Sequence, residues 1–198
     1  MEPGVYLYWI PLGAGEHIVR VCGKGYEALT CVVQRRRPLD LYHSALEIVA
    51  PQGRFVIEMT PIPAGDTSDR GVVAEGPVGL RWLGRFRLFR YEIRRWPEGV
   101  IPDASFAAHV ARVADVAPGM RLLDLVPSVP TLVWGRDQLG AKDMWNSNSV
   151  TSWLLAGAGV DVSEIRPPAG GRAPGWDAGL VAARRPGNHG RLRGVEAA

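Results

Sequence analysis

The sequence predicts an α+β fold, an antiparallel β-sheet packed against two or three helices. Three observations carry that expectation. The first hundred residues hold several β-branched and aromatic runs, two of those runs flank a short turn-forming segment, and the apolar spacing becomes helical after residue 103.

In chain order, residues 5–11 (VYLYWIP) and 17–22 (HIVRVC) read as strands, and 26–34 fits either a short helix or a strand. Residues 41–60 (LYHSALEIVAPQGRFVIEMT) read as a β-hairpin turning at Pro51, Gln52 and Gly53. A three-residue turn there pairs Ala50 with Arg54 and sets Glu58 opposite Leu46, roughly 10 Å along the strand from His43. Residues 71–75 (GVVAE) and 85–96 (RFRLFRYEIRRW) read as further strands.

A first helix is expected over 104–116, where Phe106, Val110 and Val113 follow the Pro102-Asp103 start signal at helical spacing. A second is expected over 119–126, with Leu122, Leu123 and Val126 inward. The third, 148–157, is the best signalled. Asn146, Ser147 and Asn148 precede Val150, Trp153 and Leu154 on one face, and Gly157 and Gly159 supply the stop. Residues 166–177 form a loop stiffened by three prolines, 179–184 returns as a strand, and 187–198 forms a flexible tail behind a single domain, 1–186.

A chain of 198 residues that is 46% hydrophobic and 22% charged can bury one sizeable core. It lacks a basic leader and any run near the roughly 20 apolar residues of a membrane span, so a soluble cytoplasmic protein with no membrane partner is expected. Of the 23 basic residues all but Lys24 and Lys142 are Arg. That bias fits phosphate recognition, but a GC-rich coding sequence explains it better, together with the abundance of Ala, Gly and Pro. A net charge of +3 does not call for a polyanion. In 85–96, Arg85, Arg87, Arg90, Arg94 and Arg95 alternate with Phe86, Phe89, Tyr91 and Trp96, but not on one strand face, so no nucleic-acid partner is expected. Cys22 and Cys31, expected as free thiols, and His17, His43, His109 and His189 have no metal-ligand spacing. Neither a metal nor another cofactor is expected.

The segment with chemical content is 144–155, MWNSNSVTSWLL. It sets the Ser147 hydroxyl at a helix mouth, where unpaired backbone N–H groups and the helix dipole favour negative charge. The same residue types serve as ordinary N-caps. His43, near the start of the hairpin, is a candidate general base or a buried structural histidine.

Together, an early strand with His, its hairpin partner, and a later Asn-initiated hydrophobic helix resemble the circularly permuted NlpC-type branch of the papain-like superfamily. Its N-C-x-[ST]-[FV] signature is matched by Asn146, Ser147, Asn148, Ser149 and Val150, followed by Trp153 and Leu154. The resemblance covers about 41–60 and 144–156. It implies hydrolysis or transfer of an amide or ester acyl group from a small-molecule or peptide ligand. Ser147 would be the nucleophile, His43 the base and Glu58 the group orienting His43, with first-turn N–H groups holding the oxyanion. Asn146, Asn148 and Trp145 would border the substrate. Apart from that resemblance, GGRAPGW reads either as a loop whose Trp176 plugs the sheet edge over the core or as a binding element with Arg172 as anion clamp and Trp176 as apolar wall.

The departure lies at residue 147, where the family carries Cys. An alcohol is far harder to deprotonate than a thiol. A serine hydrolase, a non-catalytic binding or interaction domain that has lost the thiol, and an engineered replacement all fit.

Overall fold

The computed structural model describes residues 1–12, 40–62, 70–101 and 103–185. The strand expected at 17–22, the segment 26–34, both cysteines and the tail at 187–198 lie outside the described residues.

The described elements are β1 (Gly4–Pro11), β2 (Asp40–Ala50), β3 (Gly53–Pro61), β4 (Val72–Pro77), β5 (Arg90–Pro97), β6 (His109–Ala114), α1 (Val116–Leu125), α2 (Ser147–Gly157), β7 (Gly171–Arg172) and α3 (Trp176–Ala183). The expected α+β architecture is present. Antiparallel strands run in the order β4-β5-β3-β2-β1-β6, and the short β7 adds a parallel pairing of Gly171 with Asp40 and Arg172 with Leu41.

Because side chains alternate along a strand, the sheet presents two different faces. Val5, Leu7 and Trp9 of β1, Tyr42, Leu46 and Ile48 of β2, and Ile57 and Met59 of β3 join the helices' Leu122, Val150, Trp153 and Leu154 in the main core. Residues of the opposite parity, Tyr8, Ile10, Ala45 and Val56, pack with Ile101 in a smaller second core. Ala104 and Ala107 pack against that second core.

Four sequence expectations need correction. The hairpin turn has two residues, so Ala50 pairs with Gly53, Val49 with Arg54, and Leu46 with Ile57. This shift of one residue moves Glu58 off the Leu46 face and onto the face of Ala45 and Val56.

Residues 85–89 do not extend β5. They belong to two exposed 3-10 turns, Arg81–Arg85 and Arg87–Phe89, and pairing with β4 starts only where Pro77 meets Arg90. Residues 104–116 form no helix; after a 3-10 turn at Ala104–Phe106, β6 pairs with the edge of β1, Leu7 against Ala111. The helical spacing there was accidental, since Phe106 and Val110 are exposed, and the open sheet edge decided the outcome. Residues 179–184 continue α3: Ala178, Ala182 and Ala183 favour a helix and let it pack closely.

Candidate functional site

The mouth of α2 is a dense polar assembly. Asn146 is the N-cap: its Oδ1 accepts from the backbone N–H of Asn148 (2.9 Å) and Ser149 (3.4 Å). The Ser149 hydroxyl accepts in return from the Asn146 N–H at 3.0 Å, completing a capping box. Asn148, 1% exposed, ties three elements together. Its Oδ1 accepts from Ser44 Oγ (2.8 Å), and its Nδ2 donates to Tyr42 O (2.9 Å) and Pro174 O (2.7 Å).

Asn146 Nδ2 also donates to Pro174 O (2.8 Å), Ser149 Oγ to Gly175 O (2.7 Å), and Ser152 Oγ to Trp176 O (2.7 Å). The Asp143 carboxylate accepts from Gly175 N–H at 2.7 Å. Burial pushes the Asp143 carboxyl up, against the Gly175 and Met144 N–H groups, which lower it; Asp177 raises it and Arg172 lowers it. The seat is tight. Gly175 sits at φ +91, and a Cβ there would lie 2.1 Å from Asn146 Oδ1. A Cβ on Gly179 would lie 2.1 Å from both Ser149 O and Ser152 Oγ, so α3 rests directly on α2.

Ser147 is the first residue of α2, as expected, and is 6% exposed. Its hydroxyl makes no hydrogen bond among the described residues. On β2, Tyr42 packs in the helix-side core and Ser44 bonds Asn148, so strand alternation turns His43 to the other face. Burial lowers the His43 pKa to about 4, opposed by the Asp103 carboxylate. The imidazole is therefore neutral near pH 7. No hydrogen bond joins His43 to Ser147 among the described residues.

Glu58 shares the His43 face, yet the β2–β3 ladder stops at Leu46–Ile57, before His43 is reached. Its carboxylate faces Arg94 Nη1 at 3.5 Å. Trp145 is a core side chain, 1% exposed, instead of a cleft wall. Trp176 begins α3 and packs on Trp9, ring centroids 5.2 Å apart. Arg172 lies on β7 beside Leu41, and its Nη1 is buried with no hydrogen-bond partner among the described residues. The structure thus gathers Asn146, Ser147 and Asn148 at one end of α2, with the Arg172–Trp176 loop seated beside them, and leaves His43 and Glu58 across the sheet.

Sequence reasoning missed the charge on that second face. Glu92 Oε1 pairs with Arg70 Nε at 3.1 Å and with Arg94 Nε, which extends the Arg94–Glu58 pair. The Tyr8 hydroxyl donates to Glu47, whose other oxygen meets Arg54 Nη1 at 3.2 Å. Burial and Glu47 together raise the Tyr8 pKa. The available signal was parity: Glu92 and Arg94 share one strand face, and their β3 partner Glu58 shares it with them. A groove of 670 Å³ lies on the other side of the sheet, bordered by Gln52, Phe55, Val73, Arg95, Met120 and Leu123. Among the described residues no three His, Cys, Asp or Glu cluster as metal ligands, and no helix is long and apolar enough to cross a membrane.

Compared with protein-family models, with curated proteins and with solved structures, the chain gives no match to any of them.

Proposed function

We propose that this chain is a non-catalytic binding domain, a permuted NlpC-like scaffold whose former nucleophile helix now anchors α3. One observation carries the reading. The N–H groups of Asn148 and Ser149, which would hold an oxyanion, are already capped by Asn146 Oδ1. The surrounding polar side chains are spent on Ser44, Tyr42, Pro174 and Gly175, while His43 faces the second core. A small-molecule or peptide ligand fits the groove beside Phe55 and Met120, which offers apolar walls and the Arg95 guanidinium.

The hydrolase reading keeps one point in its favour, the Ser147 hydroxyl without a hydrogen bond among the described residues. Exposure of the full chain to a fluorophosphonate, followed by intact-mass measurement, separates the two readings. The binding domain gives no adduct at Ser147. A single adduct that disappears in Ser147→Ala overturns the proposal.

A further inference from the structure

We infer that the loop between β4 and β5 docks the protein on an anionic bilayer surface. From Gly79 to Tyr91 the sequence GLRWLGRFRLFRY alternates apolar and cationic side chains and contains no acid. The 3-10 turns Arg81–Arg85 and Arg87–Phe89 bury none of their residues. Leu88 is 83% exposed and Trp82 57%, and Leu80, Phe86 and Phe89 also stand in water. Five large apolar side chains on one short loop form a patch rather than the scattered exposure of an ordinary surface.

The loop is braced rather than slack. Val78 N–H donates to Phe89 O at 2.8 Å, closing its base, and Gly79 N–H donates to Trp134 O at 3.0 Å. Arg136 Nε reaches Gly79 O (2.6 Å), and Arg90 Nε reaches Gly84 O (2.8 Å). The Arg85 guanidinium lies over both the Trp82 and Phe86 rings, 5.2 and 4.8 Å from their centroids. A platform already ordered in the free protein avoids the entropic cost of ordering on contact.

Charge and side-chain type select the occupant. Arg81, Arg85, Arg87 and Arg90 make the loop strongly cationic, and among the described residues Glu75 lies at its base, 3.0 Å from Arg90 Nη1. Leu80 and Leu88 have no π-face on which a base can stack, so a single-stranded nucleic acid would leave them in water. An anionic bilayer takes both kinds of side chain at one depth: Trp82, Phe86 and Leu88 enter the acyl boundary while the guanidinium groups reach lipid phosphates. This surface is independent of the α2 site and does not rest on the proposed loss of catalysis.

Flotation of the full chain with vesicles tests the inference, comparing phosphatidylcholine alone with phosphatidylcholine containing phosphatidylglycerol. The expected result is binding to the anionic vesicles that weakens as salt rises. Trp82→Ser and Leu88→Ser should each weaken it by about tenfold with an unchanged circular dichroism spectrum, and Arg81→Gln/Arg85→Gln should flatten the salt dependence. Failure to float with anionic vesicles overturns the inference. Flotation indifferent to both Trp82→Ser and Leu88→Ser does so too, as does tight binding of a single-stranded oligonucleotide by a chain that ignores the vesicles.

Discussion

His43 is a neutral imidazole because β2 turns it into the second core, where burial outweighs the attraction of Asp103. Its pKa of about 4 lies below the ordinary value of 6.5. Between those values the unfolded chain binds a proton that the folded chain refuses. Stability therefore carries no His43 penalty above pH 6.5, falls as the pH drops toward 4, and takes its full penalty below that. Urea unfolding at pH 7.5 and 5.0 should show the wild type losing about 2 kcal/mol more than His43→Gln over that interval. Equal losses in the two proteins would show that His43 titrates normally. Ser147 could be placed from the polar run before Val150 and the face of His43 follows from alternation along β2, whereas the β3 residues that share that face depended on hairpin register. Pro51-Gln52-Gly53 permits a turn of either length, and one residue of slip exchanges the two faces.

At the scale of elements, α2 was legible because its signals are local: Asn146 at the cap, an apolar stripe, and glycines at the end. What the cap residues hold was not legible, since Asn148 bonds partners more than a hundred positions earlier and 26 positions later in the chain. Ser44, Tyr42 and Pro174 make Asn148 the link among α2, β2 and the loop before α3. Asn148→Ala should lower unfolding stability by about 2–4 kcal/mol, because buried groups lose their partners, with the urea m-value unchanged. A loss below about 0.5 kcal/mol, the size of an ordinary surface substitution, would mean that the network does not hold the loop. The segments β6 and α3 were misread for one physical reason. A free sheet edge and a close seat on α2 are long-range features, and they outweighed local spacing.

Across the whole molecule, alternating strands and one strong helix were enough to predict an antiparallel sheet backed by helices, because hydrophobic period records secondary structure directly. The division of labour between the two faces came only with the strand pairings. One face packs α2 and α3 and carries the polar seat of Ser147; the other carries the half-buried His43 and the buried Glu47, Glu58, Glu92 and Arg94. That separation is the central claim, and the thiol of Ser147→Cys reports on it directly. Its pKa, read from the pH dependence of alkylation, will reflect the helix terminus alone, so adding His43→Ala should leave it unchanged. A depressed thiol pKa that His43→Ala restores toward the free-cysteine value of about 8.5 would show His43 and residue 147 acting together, and would contradict the account.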